Sequence, residues 1–485
     1  MKTIKEYLDI VDEVISNGKF KDDWQSLSAF EMPKWYQKGR FGLFIHWGCY
    51  SLPATESEWY PRLMYIKGTK SWKHRRKTYG KNWDYRQIVE QFNPSNFNAQ
   101  EWVELFKQSG AKYIMPVAEH HDGVKMYASE LNKWNMMDLR GRDYISELKH
   151  AAEENDIGFL TSNHRAEHYW FLNGARKFCP QSEVTKNLYP DLYGPAVLPD
   201  NKNVFGDLTL TITQEWLEDW LASSCEMVDK LQPLAVYFDW WIYMDQFKPY
   251  IKKFLAYYYN RAIEWNKEVG VFYKYGSIMK GCAIFDVERG QIDGIASQLW
   301  QNDTAIAKNS WGYTQGNEFK SPKDILKNLI DVVSKNGCFM LNVGPKADGT
   351  ICEEEKNVLL AIGQWLSTNG EAIYDSKPFD VFGEGVKSQN GTFKENLQYK
   401  KGDYRFTFQA GAIYVFPMFD KPTKKFVINS LRFANEGGIR YNIQSVSILG
   451  REEEVKFVQS KENLTLTLDD EISSDLPFCF KIAVD

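Results

Sequence analysis

SPKDILKNLIDVVSKNGCFMLN, residues 321–342, contains one complete helix-to-strand unit. Ser321 can cap a helix, with Pro322 at its first position and Asp324 in its first turn. Ile325, Leu326, Leu329, Ile330, Val332 and Val333 then recur at helical spacing and make one apolar face. Asn336-Gly337 stops the helix. Cys338-Phe339-Met340-Leu341 follows, apolar at every position, as a strand covered on both faces must be. A strand of that kind needs helices above and below its sheet, so the stretch points to an α/β architecture with parallel strands.

The same alternation of short apolar run and amphipathic helix recurs upstream. The runs are Phe41–His46, Lys112–Glu119, Ile157–Asn163, Leu234–Asp239, Val269–Lys274, Gly294–Gln301 and Cys338–Asn342. Seven visible strands favour a closed (β/α)8-like TIM barrel over an open sheet. Residues 1–33 read as a leading amphipathic helix and a linker ending at Pro33. After about residue 376 the texture changes. Asp403–Phe408, Ala412–Phe416, Lys425–Ile428, Ser445–Leu449, Leu464–Leu468 and Phe478–Val484 are short strands with no helices between them. They read as an antiparallel β-sandwich. The expected division is a catalytic barrel over 1–375, with its N-terminal helix, and a sandwich over 376–485, the boundary lying near Ser376-Lys377-Pro378.

The totals narrow the function classes. A chain of 485 residues, 43% apolar, suits two folded domains rather than disorder. Its net charge of −5 offers no basic field for nucleic acid. The cluster Lys73-His74-Arg75-Arg76-Lys77 reads as a solvated turn. Seven scattered cysteines, without a CxxC pair, argue against zinc and against a disulfide framework. Met1–Glu6 lacks the apolar core of a signal peptide, and no run approaches about 18 uninterrupted apolar residues. The expectation is a cytoplasmic chain with no membrane span. The oligomeric state is not legible, and a homo-oligomer stays open.

Active sites of such barrels lie at the C-terminal ends of the strands. The residues there are His46-Trp47-Gly48, Glu119-His120-His121-Asp122-Gly123, Asn163-His164-Arg165-Ala166-Glu167-His168, Asp239-Trp240-Trp241, Lys274, Glu288 and Ser310-Trp311-Gly312-Tyr313. Five of the chain's seven histidines (46, 120, 121, 164 and 168) fall at these ends. Imidazoles suit hydroxyl groups as donors and acceptors. Their spacing lacks a standard metal motif, so no metal is expected. The 17 Trp and 27 Tyr offer flat faces that fit sugar C–H surfaces as well as a core.

Trp35 through Tyr65, with Gly42–Gly48, Ser51–Ala54 and Glu58-Trp59-Tyr60, resembles the opening block of the α-L-fucosidases, glycoside hydrolase family 29. Ala118–Gly123, Tyr237-Phe238-Asp239, Ser310–Tyr313 and Asn336-Gly337…Leu341–Pro345…Asp348-Gly349 extend the resemblance, in order, over about residues 34–375. It implies an exo-acting retaining α-L-fucosidase that removes terminal fucose from fucosylated oligosaccharides or glycoconjugates by double displacement, without a cofactor. Asp239 matches the family's nucleophile. Glu288, in Asp286-Val287-Glu288-Arg289-Gly290, resembles the acid/base segment of one branch. His46, Glu58, Trp59, His120 and His121 match residues that hold the fucose hydroxyls, and Trp311 matches an aromatic on the methyl side.

There are departures from the pattern. Glu119 replaces a basic residue, His164 a Tyr that contacts the sugar, Lys274 a binding Arg, and Trp240 the usual Gly. His164 is retained among the substrate-binding candidates. Should Glu288 fail as acid/base, Glu56 and Glu167 are next. Two other readings are a sugar-binding protein without turnover and a related glycosidase that also accepts β-D-galactosides. For the sandwich, a structural partner covering the barrel flank is preferred to a carbohydrate-binding module.

Overall fold

The computed structural model describes residues 2–178, 192–197, 210–387, 389–395, 397–433, 442–453, 455–472 and 474–485. Its larger sheet is built from β1 (Phe41–Ile45), β2 (Tyr113–Glu119), β3 (Gly158–Phe159), β4 (Thr161–Asn163), β5 (Ala235–Phe238), β6 (Gly270–Tyr273), β7 (Ile284–Asp286), β8 (Trp300–Ala305) and β9 (Gly337–Val343). The order is β1-β9-β8-β7-β6-β5-β4-β2-β3, and β1 also pairs with β2, so the sheet closes. β3 and β4 both pair with β2 and continue one strand position across Leu160. The result is an eight-position parallel barrel.

Residues 321–342 fold as their pattern requires. The helix runs Pro322–Ser334, and the Ser321 hydroxyl accepts the Asp324 amide at 3.1 Å. β9 follows, buried at every position. The left-handed stop is Asn336, at φ 67°. Gly337 serves another end: a Cβ there would lie 2.5 Å from Val332 and 2.8 Å from Trp300. Glycine lets β9 start directly under the helix it has just left.

The structure corrects the strand reading in one region. β7 was not among the expected runs, and β8 begins at Trp300 rather than Gly294. No helix separates β6, β7 and β8, so the change of period that marks the other strands is missing here. β7 is also only three residues long, with Phe285 40% exposed. The basic cluster is corrected too. It forms the helix Lys70–Thr78, and Arg75 is fully buried, donating to the Trp83 carbonyl at 3.1 Å.

The C-terminal strands are β10 (Lys377–Glu384), β11 (Tyr404–Gln409), β12 (Ala412–Pro417), β13 (Lys425–Ile428), β14 (Ile443–Ile448), β15 (Lys456–Gln459), β16 (Leu464–Thr467) and β17 (Phe480–Val484). They make an antiparallel five-stranded sheet, β10-β11-β12-β17-β14, and a three-stranded sheet, β13-β16-β15. Phe406, Ile413 and Val415 of the first share one apolar core with Phe426, Ile428, Leu464 and Leu466 of the second. β10 and β15 escaped the sequence reading because neither buries a run of side chains: Phe379 is the one buried residue of β10, and β15 has none.

The sandwich packs on the barrel helix Pro322–Ser334. Arg405 of β11 donates to Asp331 at 2.5 Å, and Lys335 donates to the other Asp331 oxygen at 2.7 Å. All three are fully buried. Removing one partner would strand a buried charge, so the triad fixes how the two parts meet. Trp365 adds a bond to the Pro477 carbonyl at 2.5 Å. Among the described residues the cysteines are buried and unpaired, and no helix is long and apolar enough to cross a membrane.

Candidate active site

A cavity of about 610 Å³ opens where the barrel strands end. All nine residues expected at a sugar site line it: His46, Glu58, Trp59, His120, His121, His164, Asp239, Glu288 and Trp311. The barrel explains their convergence. His46 follows β1, His120 and His121 follow β2, His164 follows β4, Asp239 follows β5, and Glu288 lies two residues past β7. Glu58 and Trp59 come from the β1–β2 connection, and Trp311 from the segment after β8.

Lys274, just after β6, stands between two carboxylates. Its ammonium donates to Glu288 Oε2 at 2.6 Å and to Asp239 Oδ1 at 3.2 Å. Laid end to end, those contacts of 2.6 and 3.2 Å limit the two oxygens to about 5.8 Å apart. Carboxyl pairs in retaining glycosidases stand about 5–5.5 Å apart, and inverting pairs about 6.5–9.5 Å. An approach of the two oxygens under that ceiling suits the retaining arrangement.

The two acids are driven in opposite directions. Burial pushes Glu288 up to about 7, aided by Asp303 and Asp239 and resisted by Lys274. Burial would raise Asp239 as well, but Lys274 and then His164 outweigh it and hold Asp239 well below the usual carboxylate range. Oδ2 of Asp239 faces His164 Nδ1 at 3.4 Å and His121 Nε2 at 3.6 Å. One carboxyl is thereby poised to carry a proton near neutrality, and its neighbour to stay ionised.

Burial lowers His46 and His120 far below the ordinary imidazole value, and takes His121 down to about 3. Each is a neutral ring at neutral pH, with one donor and one acceptor nitrogen. His46 Nδ1 is matched with Asn342 Oδ1 at 2.6 Å, which leaves its other nitrogen for the cavity. Among the described residues, the buried Nδ1 of His120 has no partner. Glu58 Oε2 accepts from Ser310 Oγ at 3.0 Å and from the Trp311 amide at 2.9 Å. That bond ties the two loops of the mouth and aims Trp311, whose ring is 5.2 Å from that of His46.

The sequence reading missed Asp303 outright and named Lys274 and Glu167 without the places they hold. Lys274 stood out only as a substitute for an arginine, not as the bridge between the acids. Asp303, in β8, accepts the Tyr237 hydroxyl at 3.1 Å and lies 3.9 Å from Lys274. It was lost when β8 was expected to end at Gln301. Glu167 is buried behind His121, 3.5 Å from its Nδ1, and burial followed by the Asp239 charge pushes it well up. His168, one of the five clustered histidines, does not line the cavity. It lies beneath the turn at Gly123, bonded to the His121 carbonyl at 2.8 Å.

Two trios have the spacing to hold a cation: His120, His121 and His164, and His121, Glu167 and Asp239. In each, one ligand atom per residue falls within 4.8 Å of the others. Spacing along the chain could not reveal either, because each trio is drawn from different strand ends. The same convergence of polar side chains also fits adjacent hydroxyls of one sugar.

Comparison with known proteins agrees with this geometry. The family model described as alpha-L-fucosidase matches residues 8–371. Rat tissue alpha-L-fucosidase is 29% identical over 381 residues, covering 76% of this chain and 75% of the relative. The bovine tissue enzyme is 30% identical over 378 residues, covering 76% and 74%. Among solved structures, the alpha-fucosidase of Thermotoga maritima in complex with fucose has a TM-score of 0.74 at 26% identity, covering 96% of this chain and 100% of that one. The chain therefore belongs to the α-L-fucosidase family, glycoside hydrolase family 29.

Proposed function

We propose that Asp239 is the nucleophile and Glu288 the acid/base of this retaining, exo-acting α-L-fucosidase. The observation that carries the assignment is the single ammonium of Lys274 held between the two carboxylates. In the first step Asp239 attacks the anomeric carbon while Glu288 gives its proton to the departing oxygen. A fucosyl ester on Asp239 results. In the second step Glu288, now a carboxylate, takes a proton from water, and that water displaces Asp239. Lys274 accompanies the transfer, since it touches whichever acid is charged.

His46, Glu58, Trp59, His120, His121 and His164 are assigned to the fucose hydroxyls, and Trp311 to the methyl side. Both alternative acids are occupied elsewhere. Glu56 Oε2 accepts from Ser71 N at 2.7 Å and from Ser71 Oγ at 2.6 Å, and does not line the cavity. Glu167 is shut behind His121. Terminal α-L-fucosyl groups on oligosaccharides or glycoconjugates are the proposed substrates.

The direct test is turnover of p-nitrophenyl α-L-fucoside beside p-nitrophenyl β-D-galactoside. We expect kcat/KM for the fucoside to be higher by at least about 100-fold, because a site built around one set of hydroxyls rejects a sugar that leaves them unmatched. Comparable values would overturn the assigned sugar.

The pH profile is a second test. The acid must be protonated in the free enzyme, and Glu288 is raised to about 7. So kcat/KM for an oligosaccharide should fall as pH rises through about 7. Loss on the acid side should come only well below the usual carboxylate range, where Asp239 takes up its proton. An alkaline limb near 4.5, the ordinary glutamate value, would show that Glu288 is not the proton donor.

A further inference from the structure

We propose that the leaving-group sugars cross the side chain of Phe393 and extend into a second cavity beside the fucose site. The inference rests on the assignment of Glu288 as acid/base. The departing oxygen must lie within reach of Glu288, so the sugar attached to it leaves on that side. The protein surface there comes from the C-terminal part of the chain, from the connection between β10 and β11.

That connection is strapped to the acid/base segment. The Phe393 amide donates to the Glu288 carbonyl at 3.0 Å, and the Lys394 amide to the Arg289 carbonyl at 2.8 Å. Gln291 and Gly391 exchange both backbone bonds, at 3.2 and 3.0 Å. Glycine permits the approach: a Cβ on Gly290 would lie 2.3 Å from the Gly391 carbonyl oxygen. Glu395 clasps the far end, accepting from Thr304 Oγ1 at 2.5 Å and from Lys320 at 2.5 Å.

The strap holds Phe393 at φ 56°, a conformation that an aromatic residue adopts only under constraint. Phe393 as a residue is 67% exposed, yet it borders the cavity. An apolar ring fixed in that way does not serve the core. It offers a flat face at the mouth, as sugar C–H surfaces require. A second cavity, of about 370 Å³, shares Phe393, Arg289 and Lys308 with the first and adds Asn328, Gln398 and Tyr399. Its four cations each have a carboxylate partner within the fold: Lys320 and, at 3.9 Å, Arg289 share Glu395, Lys327 has Asp420 at 2.8 Å, and Lys308 has Glu318 at 3.6 Å. The fitting occupant is therefore a neutral oligosaccharide, with one sugar on Phe393 and the next among these amides and lysines. A competing path would run over Tyr275, which is 53% exposed on the rim of the first cavity.

The test compares α-L-fucosyl fluoride, which has no leaving sugar, with the best substrate among 2′-fucosyllactose, 3-fucosyllactose and the Lewis X trisaccharide. In the full-length Phe393→Ala variant the ratio of oligosaccharide to fluoride kcat/KM should fall at least tenfold, mostly through KM. Phe393→Tyr should restore it to within threefold, and Tyr275→Ala should leave it in place. Should Phe393→Ala not fold, Phe393→Gln, which keeps bulk without an aromatic face, is read in the same way. An unchanged ratio in the Phe393 variants, a fall only in Tyr275→Ala, or wild-type turnover of the fluoride but of none of the oligosaccharides overturns this proposal alone. Absence of fluoride turnover by wild type overturns the assigned function itself.

Discussion

Asp239→Ala is expected to lower kcat/KM on every fucoside by about four orders of magnitude while the barrel stays folded. The size follows from what is lost. No other carboxylate can take over the attack: Glu167 is shut behind His121, and Asp303 lies beyond Lys274, bonded to Tyr237. The fold should survive because Asp239 stands at the C-terminal end of β5, in the cavity, and its partners are side chains of the site. Loss of Asp239 also leaves Glu288 as the nearest carboxylate to Lys274, with Asp303 farther off at 3.9 Å, which favours the charged form of the acid. The alkaline limb of any residual activity should therefore move to lower pH. The decisive reading is the product with azide. Azide can enter the space vacated by Asp239 and attack the anomeric carbon of an activated α-fucoside directly, giving the inverted β-fucosyl azide. Near-normal turnover of the folded variant would remove Asp239 from the nucleophile's role.

How far the sequence reaches depends on how locally each feature is encoded. The unit over 321–342 is legible because capping, helical period and an apolar strand all fall within one window. The histidines at 46, 120, 121 and 164 are legible as a cluster because each directly follows a strand whose own pattern is clear. β7 has no flanking helix and is only three residues long, so its place in the barrel had to come from pairing with β6 and β8. The same misplacement concealed Asp303, whose importance depends on which residue ends β8. Lys274 was visible as a residue, but not as a bridge, because its two partners lie past the ends of β5 and β7, the strands on either side of β6. Phe393 is the extreme case. It reaches the Glu288 segment only because the sandwich packs on the helix Pro322–Ser334, through the buried contact of Arg405 with Asp331. Patterns along the chain report burial and period, and they do not report which distant loops a packed interface brings together.

Glu288→Ala should separate substrates by their leaving groups. An oligosaccharide alkoxide cannot depart without a proton, so its kcat/KM should fall by about 10³-fold. A 2,4-dinitrophenyl group or fluoride departs unaided, and kcat/KM for those should fall by about tenfold or less. Their kcat will nevertheless drop, because the second step has lost the base that activates water. The fucosyl ester on Asp239 should then accumulate, and an initial burst of dinitrophenolate should precede a slow steady state. Azide needs no base. Bound where Glu288 stood, it should displace Asp239, raise the steady-state rate and give the retained α-fucosyl azide. On the proposed assignment the two variants yield opposite anomers from one reagent, because the nucleophile and the acid/base act on opposite faces of the same sugar. Lys274 sharpens the contrast. With Glu288 gone, its ammonium has Asp239 as its closest remaining partner, at 3.2 Å. Asp239 becomes a better leaving group and a weaker attacker, so the first step should retain a small deficit even with the best leaving group. Equal losses on oligosaccharide and dinitrophenyl substrates, with no effect of azide, would assign the proton transfer to another residue and leave Glu288 as a partner of Lys274 only.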